Sequence, residues 1–263
     1  MRYESTTGLD HAQIQELVAR IHQVQPEHQP DQPSRRGRPP LLGLYRQVVL
    51  TLVLLRQNLN QTTAADLFGV SQSTVSRIYR TTLPLIEQVT CIHRPPLPEA
   101  LRGRVVLVDG TLVPIGNRRT DRVTHLANFS GKRHRAGLNV QILADLSGCL
   151  LAISTPVPGT THDRAAFTLA GFDQLLTDIP TLGDLGYQGT CVIRPQRRPP
   201  GRDHHPHTEV WNRSIATLRA AVERAIAHWK NWKILATGYR GRLTELPNLI
   251  RIITTLEYYR LGW

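Results

Sequence analysis

Acidic side chains in three separate stretches of the chain could together bind a metal ion or activate a water molecule. The first, Asp109, directly follows the apolar run VVLV at residues 105–108, which is typical of a strand buried on both faces. A carboxylate at the end of a buried strand is held rigidly where a ligand can reach it. The alternative is that Asp109 only begins a turn with Gly110, because Asp-Gly is a common turn dipeptide.

The second acid, Asp184, lies in the sequence GDLGYQG at residues 183–189 and again follows a short predicted strand. A rival for this role is Asp163, which lies near the start of a helix predicted over residues 161–176. We favour Asp184, because the end of a strand next to that of Asp109 is the better position for a metal ligand.

The third acid, Glu223, lies in a long helix predicted over residues 209–235. Arg219 precedes it by four residues and Lys230 follows it by seven, so the three side chains share one face at about 100° per residue. The opposite, apolar face consists of Leu218, Ala221, Val222, Ala225, Trp229 and Trp232. The helix can therefore present an acid between two cations, although a solvated face with ordinary ion pairs has the same pattern.

The stretches between these acids predict the elements of an α/β domain. Residues 138–144 and 149–154 flank a Leu-Ser-Gly turn and predict a hairpin, residues 191–193 a short strand, and residues 246–258 a closing helix. This order favours a mixed sheet with helices packed on it, in which acids from two strand ends and a facing helix can converge in one cleft.

Three converging carboxylates repel one another, and divalent metal ions remove that conflict. Magnesium prefers carboxylate oxygens and keeps waters that can serve as nucleophiles. Two ions about 4 Å apart suit an in-line attack at a phosphodiester.

The composition favours a nucleic acid as the partner. The chain of 263 residues has a formal charge of +12, and only Lys132, Lys230 and Lys233 among its 32 basic residues are lysines. Arginine is the better bidentate partner for phosphate. The three cysteines are odd in number and far apart, which fits the reducing cytoplasm. We expect no membrane association, because the longest stretch that is apolar apart from Thr51, residues 48–55, is too short to span a bilayer.

The N-terminal part of the chain predicts helices around a basic linker. Residues 10–24 predict a helix capped by Asp10, and residues 42–57 predict another. Residues 25–40 are rich in Pro and Gln and then basic, which is typical of a flexible connector. Within it Arg36-Gly37-Arg38-Pro39 resembles the core of an AT-hook, whose arginines lie in the narrow minor groove; a plain basic linker is the alternative.

Residues 61–80 (QTTAADLFGVSQSTVSRIYR) predict a helix-turn-helix. Thr62 and Thr63 can cap its first helix, Gly69 permits the turn, and Ser71 caps the second helix, whose Val75 and Ile78 face inward. Base edges and phosphates could be contacted by Gln72, Ser73, Thr74, Ser76, Arg77 and Arg80. The alternative is an αα-hairpin inside a helical bundle. Pro residues at 95, 96 and 98 mark a boundary between an all-α DNA-binding domain, residues 1–100, and a catalytic domain, residues 101–263.

Together these motifs resemble the DDE transposases of the insertion-sequence-five type, which are related to the Harbinger-like transposases and have a ribonuclease H-like fold. The resemblance covers nearly the whole chain and rests on GVSQSTVSRI, VVLVDGT, GLNVQILADLSGCLLAISTPVPGTTHD, GDLGYQG and NRSIATLRAAVERAIAHWKNWKIL. It implies that Asp109, Asp184 and Glu223 are the catalytic metal ligands, and that Arg219 and Lys230 contact DNA phosphates. Ala216 stands where the related signature has a tyrosine.

The resemblance further implies a reaction and its partners. Two Mg²⁺ or Mn²⁺ ions would assist cleavage of double-stranded DNA at the terminal repeats of a transposon, and the freed 3′-hydroxyl would attack target DNA. We expect a homo-oligomer on DNA, a cytoplasmic, nucleoid-associated location, and no nucleotide cofactor, since the chain has no Walker-type phosphate loop. The alternatives are an endonuclease that cuts without joining and a non-catalytic helix-turn-helix repressor.

Overall fold

The structure, a computed structural model, describes residues 3–24, 40–91, 96–116, 122–201 and 203–262. The basic linker with Arg36 and Arg38 lies outside the described residues. The chain forms two compact units, one of Met1–Arg94, Asn231–Ile234 and Asn248–Trp263 and one of Pro95–Lys230 and Leu235–Pro247. The second unit thus differs from the predicted catalytic domain, residues 101–263, chiefly because most of the last helix packs in the first unit.

The helices are, in chain order, α1 (Tyr3–Thr7), α2 (His11–Val24), α3 (Leu44–Gln57), α4 (Gln61–Phe68), α5 (Gln72–Thr90), α6 (Leu97–Leu101), α7 (Arg122–Asn128), α8 (Asp163–Leu169), α9 (Phe172–Leu175), α10 (Pro206–Lys230) and α11 (Leu246–Leu261). The strands are β1 (Val106–Pro114), β2 (Phe129–Ser130), β3 (Arg135–Asp145), β4 (Leu150–Ile153), β5 (Val157–Pro158) and β6 (Thr181–Leu182). None of the described helices has the length and apolar character needed to cross a membrane.

The first unit is helical, and its local sequence explains where its helices begin. Asp10 caps α2 as predicted: its carboxylate accepts from the backbone N–H of Gln13 (2.8 Å), and the Gln13 side chain accepts in return from the Asp10 N–H (3.1 Å). In α11 the Thr255 hydroxyl is hydrogen-bonded to that of Thr90 in α5 (3.1 Å), and the Glu257 carboxylate accepts from the Trp232 indole (3.0 Å). The C-terminal helix is therefore an integral part of this unit.

The helices α4 and α5 confirm the predicted helix-turn-helix. Gly69 has the left-handed conformation (φ 68°) that the turn requires, and the Ser71 hydroxyl accepts from the Thr74 N–H at the start of α5. The predicted cap of α4 was wrong, because the Asn60 side chain accepts from the Thr63 N–H (2.7 Å) and starts the helix earlier. Their shared core contains Leu50, Leu54, Ala64, Ala65, Val75 and Ile78.

The second unit is a mixed sheet with flanking helices. The strand order is β2-β3-β1-β6, and β4 and β5 also pair with β3. β1 is antiparallel to β3 and parallel to β6, and β3 and β4 form the predicted hairpin. The predicted strand at residues 191–193 is only an isolated bridge between Ile193 and Leu182. The long helix α10 packs on β1 and β3.

Two predicted boundaries in this unit were wrong. β1 does not end at Asp109; it continues through buried Leu112 and Val113 to Pro114, and Asp109 pairs with Ile142 in the middle of the ladder. The helix predicted over residues 161–176 is divided into α8 and α9, because Gly171 adopts a left-handed conformation (φ 72°) between them.

Candidate active site

Asp109 and Asp184 lie side by side at the junction of two parallel strands. Leu107 of β1 is in register with Leu182 of β6, and each acid follows its leucine by two residues. Asp184 lies just beyond β6, where its carboxylate accepts from the N–H of Gly186 (2.7 Å) and caps a 3-10 turn. The structure therefore brings together the first two acids singled out from the sequence.

Asp163 lies near Asp109 and Asp184, closer to them than the sequence indicated. A Cβ atom built on Gly110 would be 2.1 Å from Asp163 Oδ1, so the missing side chain of Gly110 makes room for this carboxylate. A Cβ atom on Gly186 would be 2.8 Å from Asp184 Oδ1 and 3.6 Å from Asp163 Oδ2. Both glycines thus make room for the carboxylates of Asp163 and Asp184 beside Asp109.

A buried polar network holds Asp163 in place, and the sequence reasoning missed it. Asn139 Nδ2 and Gln141 Nε2 both donate to Asp163 Oδ1 (3.2 and 3.3 Å), and the Tyr187 hydroxyl donates to Gln141 Oε1 (2.5 Å). Gln141 and Tyr187 are fully buried. The available signal was a pair of amides, two residues apart, in the otherwise apolar sequence of β3.

Burial and nearby charges perturb the pKa values of Asp109 and Tyr187 in this cluster. The pKa of Asp109 is raised to about 6, chiefly by burial and also by Asp184 and Asp163, while Arg219 and the Gly110 N–H oppose the rise. Burial, together with the three acids, also raises the pKa of Tyr187 well above its ordinary value. Arg219 reaches Asp109 Oδ1 at 3.6 Å, and its buried Nε has no hydrogen-bond partner among the described residues.

The helix α10 turns its two predicted cations toward the sheet, which argues against the alternative of a wholly solvated face. Arg219 contacts Asp109 and Lys230 Nζ donates to the carbonyl oxygen of Leu112 (2.9 Å), so both cations face β1 and are partly buried instead of lying on a solvated face. Most of the predicted apolar face is buried, but Leu218 is 40% exposed and was wrongly included. The sheet therefore contacts α10 where its predicted charged face meets its predicted apolar face.

Glu223 is exposed, one helical turn after Arg219. Its carboxylate forms no hydrogen bond or ion pair with a described residue, and among the described residues no three Asp, Glu, His or Cys side chains form a compact metal-binding group. The carboxylates of Asp109, Asp163 and Asp184 nevertheless fit a hard divalent cation, because an added positive charge would offset the burial and the repulsion that raise the pKa of Asp109.

In the first unit, the predicted DNA-contacting residues of the helix-turn-helix are mostly accessible. Gln72, Ser73, Arg77 and Arg80 are exposed, whereas Thr74 and Ser76 are half-buried. Gln72 Nε2 donates to Gln61 Oε1 (2.6 Å), which links the starts of the two helices.

Comparison with known proteins identifies the family. Residues 108–257 match the model of the DDE superfamily endonucleases, a range that includes Asp109, Asp163, Asp184 and Glu223. The chain belongs to the DDE superfamily of endonucleases. Residues 40–92 match the helix-turn-helix that accompanies this endonuclease superfamily. DDE endonucleases in general use divalent metal ions, in agreement with the donor set described above.

Two relatives of this DDE endonuclease are named as transposases. It is 32% identical over 203 residues to a putative transposase for insertion sequence element IS112 from Streptomyces albus G, covering 76% of this chain and 74% of the relative. It is 27% identical over 244 residues to a probable transposase for IS702 from Microchaete diplosiphon, covering 87% and 85%. No solved structure matches the chain significantly.

Proposed function

We propose that the chain is a transposase that binds the ends of its insertion sequence, cuts them with metal ions held by Asp109, Asp184 and Glu223, and joins them to target DNA. The observation that carries the proposal is that Asp109 of β1 and Asp184, two residues beyond Leu182 of β6, belong to neighbouring parallel strands, and that Arg219, one helical turn before Glu223, contacts Asp109. The names of the two relatives support the same function. We assign the mixed sheet to the ribonuclease H-like fold and the chain to the insertion-sequence-five type.

The acids would provide oxygen ligands for two Mg²⁺ or Mn²⁺ ions. When bound, such ions lower the pKa of a coordinated water and stabilise negative charge on the scissile phosphate. The chain holds its own part of this site through packing: Gly110 and Gly186 admit the carboxylates, and Arg219 compensates the charge of Asp109. Glu223 would complete the ligand set from the exposed side, where DNA can enter.

The reaction consists of two phosphoryl transfers. In the first, a water oxygen bonds to the phosphorus while the bond to the 3′-oxygen breaks, which leaves a 3′-hydroxyl on the transposon end. In the second, that hydroxyl oxygen bonds to a phosphorus of target DNA and releases a new 3′-hydroxyl. One phosphodiester replaces another in the second step, so no nucleotide cofactor is needed. Arg219 and Lys230 would contact phosphates near the cut.

The helix-turn-helix of the first unit is the candidate for recognising the transposon ends. Arg77 and Arg80 would contact phosphates, and the start of α5, with Gln72, Ser73 and Thr74, would contact base edges. Arg36 and Arg38 would add minor-groove contacts. Two ends must be held together for joining, so the active species would be a homo-oligomer on DNA, acting at the nucleoid in the cytoplasm.

A strand-transfer assay separates this function from its two alternatives. Purified protein is incubated with end-labelled terminal-repeat duplex and a supercoiled target plasmid in Mg²⁺. Cleaved ends joined to plasmid support the transposase; cleavage without joining indicates an endonuclease; and specific binding without cleavage indicates a repressor.

A further inference from the structure

A basic turn lies beside the acid cluster and takes no part in the chemistry proposed above. It joins β2 to β3 at residues 131–134 and, with the first residue of β3, has the sequence GKRHR. All five of these residues are exposed, and His134 adopts a left-handed conformation (φ 49°). A tight turn of this kind presents several cations at one place.

The turn forms one wall of a cavity of about 150 Å³ next to the acids. Its lining includes Gly110 of β1, Lys132 and Arg133 of the turn, and Thr161, His162 and Asp163 at the start of α8. Since one water occupies about 30 Å³ of liquid, the cavity can hold a group the size of a phosphate. It opens directly onto the carboxylate of Asp163.

The walls of the cavity are fixed by close backbone packing. A Cβ atom on Gly137 would be 2.4 Å from the carbonyl oxygen of Val113, and one on Gly159 would be 2.4 Å from that of Asn128. Neither position tolerates a larger residue without moving the backbone. β1, the start of β3 and the segment before α8 are therefore held at a constant spacing, as a preformed binding site requires.

Several cations lie close together at and beside the cavity, whose lining also includes the carboxylate of Asp163. The pKa of Lys230 is lowered to about 8, chiefly by burial and also by the positive charges of Arg133 and Arg135. None of these three side chains forms an ion pair with a described residue, and Lys132 Nζ reaches Asp163 Oδ2 only at 3.8 Å. An anion bound at the cavity would relieve this repulsion.

We propose that the cavity binds one backbone phosphate of the DNA, adjoining the phosphodiester that is cut, with Lys132 and Arg133 donating to its oxygens. The proposal rests on the proposed function, since it places a second contact on the same DNA strand. This contact sets the register of the strand, so that the scissile phosphate lies over Asp109 and Asp184. The chemical class of the ligand is a phosphodiester, held through charge and hydrogen bonds.

The test asks whether the side chains of the turn and one particular phosphate of the DNA contribute to the same contact. Full-length protein cleaves a set of terminal-repeat duplexes, each with one phosphate near the cut replaced by a neutral methylphosphonate, under single-turnover conditions. We expect the parent to slow about tenfold at one position, as for loss of a charge-assisted hydrogen bond. Lys132→Ala/Arg133→Ala should be about tenfold slower on the unmodified duplex and show no further loss at that position.

The matched control is Arg102→Ala, which removes an exposed arginine that does not line the cavity. It should keep both the rate of the parent and its sensitivity to that position. The proposal would be overturned if the methylphosphonate slowed the Lys132→Ala/Arg133→Ala variant by the same factor as it slows the parent. It would also be overturned if the parent were sensitive at no position. Either result would leave the transposase function intact.

Failure of the proposed function would be seen separately, as a parent that cuts none of the duplexes. The affinities for the same duplexes are then measured in Ca²⁺, together with thermal melting of each variant. The phosphate site would still be supported if the methylphosphonate at one position weakened binding of the parent but not of the Lys132→Ala/Arg133→Ala variant. Equal losses of affinity in both proteins would overturn it. Because both substituted side chains are exposed, we expect unchanged melting.

Discussion

Replacing Asp109 with Asn should stabilise the metal-free protein while removing its activity. The folded chain holds the Asp109 carboxyl at a pKa of about 6, against 3.8 for the unperturbed group, so folding opposes its ionisation. A difference of about two units corresponds to about 3 kcal/mol of lost stability once the group is ionised in both states. The amide of the substituted side chain keeps the shape of the carboxyl group and carries no charge to desolvate.

The dependence on pH follows from the same difference. Between pH 4 and 6 the unfolded carboxyl loses its proton before the folded one does, so the folded state binds more protons and the stability of the parent falls as the pH rises. Below about pH 3 the carboxyl is protonated in both states, and the parent and Asp109→Asn should be equally stable. At pH 8 the variant should be more stable by about 2 to 3 kcal/mol.

Urea denaturation in EDTA at several pH values measures this difference. Asp178→Asn, which removes an exposed aspartate of the same unit, is the control and should behave like the parent. Added Mg²⁺ should stabilise the parent by about 2.7 kcal/mol at a hundred times its dissociation constant, and should not stabilise Asp109→Asn. A variant less stable than the parent at pH 8 in EDTA would refute the reasoning from burial and repulsion.

Other predictions concern the positions that shape the two units. Arg77→Ala/Arg80→Ala in the full chain should weaken binding to terminal-repeat DNA and reduce the slope of log affinity against log salt by about 2, measured by fluorescence anisotropy; an unchanged slope would exclude phosphate contacts by these arginines. Gly110→Ala should destabilise the second unit by at least about 1 kcal/mol in thermal melting and impair cleavage, because its Cβ atom would collide with Asp163. Normal stability with normal cleavage would show that the carboxylate does not need this space.

The sequence predicted local elements well where their signals are local. Asp10, Gly69 and Ser71 were correctly assigned, because a helix cap or a tight turn depends on a few neighbouring residues. The middle of β1 was predicted wrongly because the local signal at Asp109 and Gly110 is misleading. Asp-Gly is a turn signal, whereas the glycine stands inside this strand because Asp163, 53 positions later, and Gln141 come close to it.

The candidate site was predictable in part. Asp109 and Asp184 could be found because each follows a predicted strand, and β1 and β6 then place them together. The support of Asp163 by Asn139 and Gln141 depends on long-range contacts that no spacing reveals. Periodicity placed Arg219, Glu223 and Lys230 on one face of α10 but could not show that the sheet would cover the edge with Arg219 and Lys230.

The metal-ligand assignment is tested most directly by nicking of an end-labelled terminal-repeat duplex in Mg²⁺ or Mn²⁺. Asp109→Asn, Asp184→Asn and Glu223→Gln should each abolish cutting and keep sequence-specific binding, because a missing carboxylate leaves the metal ions poorly held. Asp163→Asn should cut more slowly than the parent but measurably. If Asp184→Asn still cuts and Asp163→Asn does not, the second ligand is Asp163, and if all four variants cut like the parent, the metal-triad account is wrong.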